Sequence, residues 1–207
     1  MVAVIDYDAG NIRSVEKAAA ALGKQAVVTR SQEEILAADH VILPGVGAFG
    51  DAMEKLHKYD LAGVIREVTA RGTPFLGICL GLQLLFESSE ESEGVAGLGI
   101  LPGRIVRIPE EKGLKIPHIG WNSLSYPNQG RLFRGIPEQS YVYFVHSYYL
   151  RAEDAEIVKA ATEYGVLIHA AVEKNNIFAC QFHPEKSSET GMRILKNFLD
   201  ISTETER

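Results

Sequence analysis

The chain has 207 residues, of which 46% are hydrophobic and 23% are charged, and its formal net charge is -6 at pH 7. This composition is typical of a globular protein, and the negative balance argues against a general binder of nucleic acids or membranes. No apolar run approaches the roughly 18 residues of a membrane span, the start resembles no secretory signal, and two cysteines give no disulfide framework. We therefore expect a cytoplasmic protein that forms a single domain over residues 1–207.

Strands and helices alternate in the first part of the sequence. Strands are predicted at residues 2–5, 25–29 and 41–43, the first of them an apolar run typical of a strand buried on both faces, and the segment 11–22 has a helical pattern. Such alternation predicts a parallel sheet with helices on both faces. In such sheets, ligands bind beyond the carboxyl ends of the strands.

Local signals mark the ends of the predicted helices. Asn11 is predicted to cap the first helix, and Gly23 is predicted to end it. Ser31 and Glu34 have the spacing of a capping box, which predicts a second, short helix. Further helical patterns at residues 50–57 and 61–71 lead to the next strand.

A glycine-containing loop, Pro44-Gly45-Val46-Gly47, follows the third predicted strand. Its glycines permit a sharp turn that would present backbone N–H groups to an anion. Taken alone, such a loop is more often a simple turn, so both interpretations remain open at this point.

Another apolar run, which begins with Pro74, leads to Cys79 between Gly77 and Gly81. A Leu/Gln-rich run with helical propensity follows, so Cys79 is predicted on a tight strand-to-helix turn, the thiol counterpart of a nucleophile elbow. The positive end of the helix favours a thiolate there. A lone cysteine in a hydrophobic run is usually part of the core, and this stretch alone leaves both interpretations open.

From Gly99 onward the sequence changes to short strands separated by glycine and proline. The predicted strands cover residues 104–108, 119–124, 141–149, 157–162, 167–173 and 177–182. A hairpin is predicted around residues 174–176, and an amphipathic helix over 189–199. The fold class is therefore α/β with three layers, a mostly parallel central sheet flanked by helices and an added mixed or antiparallel sheet.

The last predicted strand leads into His183-Pro184-Glu185. Residues two apart in an extended segment point to the same side, so the imidazole and the carboxylate can face one site. A cysteine nucleophile needs such a base, and the base needs a group to orient it. Separately, His183 could be a surface turn residue and Glu185 an acid that precedes a helix. Three other candidates are predicted to be structural: Cys180, His118 and His146.

Two motifs together resemble the class I glutamine amidotransferase family: Gly-Ile-Cys-Leu-Gly-Leu-Gln at residues 77–83 and Gln-Phe-His-Pro-Glu at residues 181–185. The resemblance covers essentially the whole chain and implies a flavodoxin-like fold and a Cys79, His183 and Glu185 triad. It also implies that Gln83 and Glu91 hold a glutamine substrate. No cofactor and no metal is expected.

The chemistry implied by this resemblance needs an oxyanion hole with two donors. One is the N–H of Leu80, the residue after the nucleophile, and the other is expected from Val46 or Gly47 in the loop after the third strand.

Within the family, residues 6–12, 44–47, 120–122 and 141–149 resemble the glutaminases that pass ammonia to a (β/α)8-barrel cyclase subunit in a heterodimer. The cyclase would make imidazole glycerol phosphate for histidine synthesis and an aminoimidazole carboxamide ribonucleotide. Neither a nucleic acid nor a membrane is expected as a partner.

Two alternatives remain open. A glutaminase that serves another synthase, such as the pyridoxal phosphate or anthranilate system, would keep the triad but change the oxyanion loop and the aromatic strand. A cysteine peptidase of similar fold would keep Cys79 and His183, but it would need an open peptide groove and would have no use for Gln83 and Glu91.

Overall fold

The computed structural model describes residues 1–202, so residues 203–207 of the predicted domain lie outside the described part. The strands in this range are β1 (Val2–Ile5), β2 (Ala26–Thr29), β3 (His40–Leu43), β4 (Phe75–Ile78), β5 (Ser88–Ser89), β6 (Gly103–Arg107), β7 (His118–Ser123), β8 (Tyr141–His146), β9 (Tyr148–Ala152), β10 (Val158–Tyr164), β11 (Val166–Lys174) and β12 (Ile177–Cys180). The α-helices are α1 (Ile12–Ala21), α2 (Gln32–Leu36), α3 (Phe49–Lys58), α4 (Leu61–Ala70), α5 (Leu80–Leu84) and α6 (Ser188–Leu199). Within residues 1–202, none of the helices combines the length and apolar character needed to cross a bilayer.

Seven strands form the central sheet in the order β10-β11-β12-β4-β3-β1-β2. The strands from β12 to β2 run parallel, whereas β11 and β10 are antiparallel to their neighbours. At the centre, Ile78 of β4 lies opposite Cys180 of β12. The residues that follow these two strands therefore emerge side by side at one edge of the sheet.

Apolar side chains on both faces of the sheet hold the three layers together. Every residue of β1, β3 and β4 is buried, which explains why these strands are continuous apolar runs. One face packs against α3 and α4 through residues such as Leu56 and Ile65. The other packs against α1 and α6 through residues such as Val15 and Phe198. The predicted fold class is confirmed.

The second half of the chain differs from the predicted strand pattern in two respects. The predicted strand 141–149 is two strands separated at Ser147, because β8 pairs with β7 as a separate ribbon while β9 pairs with β6 in a three-stranded sheet. In addition, β10, β11 and β12 extend the central sheet, since the wholly buried β12 pairs in parallel with β4. The ribbon and the small sheet thus form the added β-structure.

The prediction that Asn11 caps α1 is wrong. This residue has a left-handed backbone with φ of 70°, and its side chain does not cap the helix. Its amide instead donates a hydrogen bond to Glu185. The other two signals hold, because Gly23 has φ of 76° after α1 and Ser31 Oγ accepts from Glu34 N–H at 3.4 Å before α2.

Candidate active site

Cys79 lies on the turn between β4 and α5, with φ of 55° and ψ of -109°, a backbone conformation that is uncommon for a residue with a side chain. The turn depends on its glycines. A Cβ on Gly77 would lie 2.6 Å from Gly81 O, and a Cβ on Gly81 would lie 1.9 Å from Leu43 O. The Cys79 N–H donates to Cys180 O at 2.8 Å, which ties the turn to β12.

A cavity of about 280 Å³ opens beside the cysteine. Six of the predicted site residues line it: Val46, Gly47, Cys79, Leu80, Gln83 and Glu91. The opposite wall is formed by the ribbon and the start of β9, including His146 and Tyr148. A larger cavity of about 510 Å³, beside Arg131 and Glu173, contains none of the predicted site residues. The smaller cavity is therefore the candidate active site.

His183 and Glu185 lie behind this cavity and form a buried pair. The His183 Nδ1 is 2.7 Å from Glu185 Oε1, and both side chains have 0% exposure. A carboxylate can only accept, so Nδ1 carries the proton and Nε2 is left for proton transfer. Two hydrogen bonds fix the backbone that carries the ring: His183 N–H donates to Tyr143 O at 2.9 Å, and Ser187 Oγ donates to His183 O at 2.6 Å.

The charge state of His183 is set by competing effects. Burial would lower its pKa, but the neighbouring Cys79 and Glu185 outweigh burial and raise the pKa to about 9. The Nε2 atom has no partner within hydrogen-bonding geometry, so Cys79 acts on the ring as a nearby charge rather than through a formed bond. The ring therefore favours the protonated form.

In the predicted oxyanion loop, the carbonyl oxygen of Gly45 lies where a backbone N–H donor is needed. Leu80 N–H donates to Gly45 O at 3.3 Å. Because the peptide is planar and trans, the N–H of Val46 points away from Leu80. The loop is anchored by Tyr7, whose buried hydroxyl donates to Pro44 O at 2.8 Å. In this state Leu80 N–H, one of the expected donors, is already bonded to Gly45 O.

The two predicted substrate residues are both held by the protein. Gln83 Nε2 donates to Tyr148 O at 3.1 Å and to Gln181 Oε1 at 3.0 Å, so only its Oε1 is left to bind a ligand. Glu91 Oε2 accepts from Phe49 N–H at 2.8 Å, at the start of α3. The groups that remain are acceptors, which suits the α-ammonium of an amino acid.

Two further side chains contact the triad residues and were not predicted as part of the site. Asn11 donates to Glu185 Oε1, and Gln181 Nε2 donates to Cys79 Sγ at 3.7 Å. A signal for Gln181 was present, because it continues the two-residue spacing of His183 and Glu185. For Asn11, the only signal was a polar residue shortly after β1, at the carboxyl end of a parallel strand.

Comparisons with known proteins show the class of protein to which this fold and this candidate site belong. The family model described as "Glutamine amidotransferase class-I" matches residues 3–201. Two solved structures have the same fold. A crystal structure of a glutamine amidotransferase superposes with a TM-score of 0.75 and 21% identity, over 97% of this chain and 98% of that chain. The structure of PurLQS from Thermotoga maritima superposes with a TM-score of 0.72 and 20% identity, over 96% of this chain and 97% of that chain.

Closer relatives are curated as "Imidazole glycerol phosphate synthase subunit HisH". The protein from Moorella thermoacetica is 53% identical over 97% of this chain and 94% of its own length. The protein from Bacillus cereus strain G9842 is 54% identical over 97% of this chain and 95% of its own. The chain belongs to the class I glutamine amidotransferase family, in the branch formed by these HisH subunits.

Proposed function

We propose that the protein is the glutaminase subunit of an imidazole glycerol phosphate synthase, hydrolysing glutamine to glutamate and ammonia for a (β/α)8-barrel cyclase subunit. The observation that carries this proposal is the convergence of Cys79 with the buried His183–Glu185 pair at the ends of two neighbouring parallel strands. The identity to HisH subunits supports the choice of synthase over other ammonia-dependent systems. The products would be imidazole glycerol phosphate and an aminoimidazole carboxamide ribonucleotide.

The reaction follows from these three side chains. The Cys79 thiolate attacks the side-chain amide carbon of glutamine, and the tetrahedral intermediate collapses to a thioester as the C–N bond breaks. His183 gives its Nε2 proton to the leaving ammonia and then takes a proton from the water that attacks the thioester. That attack releases glutamate and restores the thiolate, with His183 protonated again. Glu185 keeps the Nδ1 proton in place throughout.

The oxyanion of each tetrahedral intermediate would be bound by two backbone donors. Leu80 N–H is already directed into the site, where Gly45 O occupies it. A rotation of the Gly45–Val46 peptide would withdraw that carbonyl and present Val46 N–H instead. We propose that this rotation is the activating step, and that Gly47 provides the backbone freedom beside it, with φ of 108°.

A protein partner is supported by the apolar surface of the β7–β8 ribbon. Ile119, Trp121 and Tyr141 are 58%, 51% and 58% exposed, although large apolar side chains are usually buried. Ile119 lies opposite Val145, which lines the cavity. A cyclase seated on this surface would cover the mouth of the site and receive the ammonia. We place the protein in the cytoplasm, where free thiols such as those of Cys79 and Cys180 are kept reduced.

The partner assignment is tested with the purified cyclase subunit. Replacing Trp121 with Ala should weaken the complex by about tenfold or more, because aromatic anchors carry much of the binding energy of interfaces. Leu167→Ala is the matched control, because Leu167 is 55% exposed but lies on β11. Isothermal titration calorimetry measures the dissociation constant of each variant with the cyclase subunit. Equal dissociation constants for the two variants would contradict the proposed docking surface.

The catalytic assignment is tested by glutamate release in the presence of the cyclase subunit and its nucleotide ligand. We expect turnover that depends on glutamine and is coupled to imidazole glycerol phosphate formation. Release of glutamate without any effect on cyclase product would leave a glutaminase but contradict this synthase. Cleavage of peptides in preference to glutamine would support the peptidase alternative.

A further inference from the structure

We propose that Gln181 is a positioning residue that holds the Cys79 sulfur through a donated hydrogen bond and so supports the nucleophile before substrate binds. This inference rests on the proposed function of Cys79. Gln181 has 0% exposure, and its Nε2 lies 3.7 Å from Cys79 Sγ, a distance suited to the large sulfur atom. Within residues 1–202, no other side chain donates a hydrogen bond to this sulfur.

The orientation of the Gln181 amide is fixed by its neighbours. The carbonyl oxygen of Tyr148 can only accept, so Gln83 directs Nε2 toward it at 3.1 Å. The second N–H of the same nitrogen meets Gln181 Oε1 at 3.0 Å. With its oxygen bound to Gln83, Gln181 must present its N–H group to Cys79. A reversed amide would place two nitrogens together on one side and an oxygen against the sulfur on the other.

The backbone around Gln181 is also held in place before any ligand binds. Gln181 N–H donates to Ala170 O on β11 at 2.8 Å, and the preceding carbonyl, Cys180 O, accepts from Cys79 N–H at 2.8 Å. The donor and the sulfur therefore belong to one connected unit formed by the ends of β12, β11 and the Cys79 turn. A buried amide held this firmly can restrict rotation of the cysteine side chain.

A donated hydrogen bond favours the thiolate over the thiol, because the charged sulfur is the stronger acceptor. In this structure His183 Nε2 makes no hydrogen bond to the sulfur, so Gln181 provides the contact that is present at rest. The titratable groups next to Cys79 are His183, Tyr7 and Cys180, and Glu185 acts through His183. Glu91, His146 and Tyr148 line the same cavity. All of them stay unchanged in the variants proposed below.

The test is the pH dependence of Cys79 alkylation by iodoacetamide in the full-length protein, followed by peptide mass spectrometry at Cys79. We compare Gln181→Met, which removes the donor at similar length, with Gln181→Glu, which keeps an acceptor for Gln83 and replaces the donor. Thr162→Val is the matched control, since Thr162 is a buried polar residue of the same sheet whose Oγ1 has no hydrogen-bond partner. Circular dichroism and thermal melting check the fold of each variant.

We expect the alkylation midpoint of both Gln181 variants to move to higher pH by about one unit or more, whereas the control keeps the wild-type profile. In the complex with the cyclase subunit, their glutaminase kcat should fall about tenfold or more with little change in KM. A folded Gln181→Met or Gln181→Glu with the wild-type profile would overturn the proposal. Loss of folding in both would assign Gln181 to fold maintenance and overturn it as well.

The outcome is separable from the proposed function. Alkylation reports on the sulfur itself and needs neither glutamine nor the partner. If Cys79→Ala kept full glutaminase activity, the proposed function would fail while the alkylation profiles could still establish the contact between Gln181 and Cys79. If Cys79→Ala were inactive and the profiles were unchanged, only the role of Gln181 would be wrong.

Discussion

Replacing Val46 with Gly should raise the basal glutaminase activity of the isolated protein. In the resting loop, Leu80 N–H bonds to Gly45 O at 3.3 Å, and rotation of the Gly45–Val46 peptide gives up this bond at a cost of about 0.5–1.5 kcal/mol. Rotation also changes φ at Val46, where a β-branched side chain adds strain of about 1–3 kcal/mol. The sum, about 1.5–4.5 kcal/mol, leaves the rotated form at about one molecule in ten to one in two thousand.

Only the strain is removed by glycine, so the basal rate of Val46→Gly should rise by about 5- to 150-fold. Val46→Pro is the opposing control, because it lacks the N–H and should be inactive with or without the cyclase subunit. Steady-state glutamate release, measured free and in the ligand-bound complex, decides the matter. An unchanged basal rate in the glycine variant, together with full activation of the proline variant, would refute rotation of this peptide as the switch.

Three further predictions follow from contacts in and around the site. Gly81→Ala should give no folded protein, because its Cβ would lie 1.9 Å from a backbone carbonyl oxygen. Gly63→Ala is the control: its Cβ would meet no atom within 4 Å, so urea unfolding should show a stabilisation of about 0.5–1 kcal/mol. Equal unfolding free energies for the two variants would contradict this prediction. Asn11→Gly keeps a residue that tolerates the left-handed backbone but removes the amide that donates to Glu185. In the complex, kcat for glutamine should therefore fall while ammonium-dependent synthesis persists. An unchanged kcat would show that Asn11 does not support Glu185. The pKa of His183 is raised to about 9 from 6.5, so the stabilisation that this group provides is complete below about pH 6.5 and is lost as pH rises through 9. The wild type should exceed His183→Gln in unfolding free energy by an amount that shrinks over this range, and a constant difference would contradict it.

The parts of the site that could be predicted from sequence depend on local geometry. The glycines beside Cys79 reflect a steric demand of the turn itself. The prediction that residues 183–185 are extended is wrong, because Pro184–Lys186 forms a 3-10 helix, and the contact of 2.7 Å between His183 Nδ1 and Glu185 Oε1 is made at its start. Alternation of strands and helices sets the parallel sheet, which brings the ends of β4 and β12 together. These features can be recognised in the sequence without knowledge of distant contacts.

The parts that could not be predicted depend on distant partners. Asn11 carries the signal of a helix cap, but Glu185, far away in sequence, takes its amide. The aromatic run 141–149 contains no local sign that the chain changes its pairing partner at Ser147. The orientation of the Gly45 carbonyl is likewise decided by Leu80 and Tyr7 together rather than by the glycine-containing loop alone.

The most direct test of the central claim is the Cys79→Ala variant assembled with the cyclase subunit and supplied with glutamine or with ammonium. If Cys79 is the nucleophile and the ring chemistry belongs to the partner, imidazole glycerol phosphate formation from glutamine should vanish, and formation from ammonium should match the wild-type complex. Both rates are read in one assay on one preparation. Retention of glutamine-dependent synthesis in Cys79→Ala would contradict the account, as would loss of ammonium-dependent synthesis in a complex that still assembles.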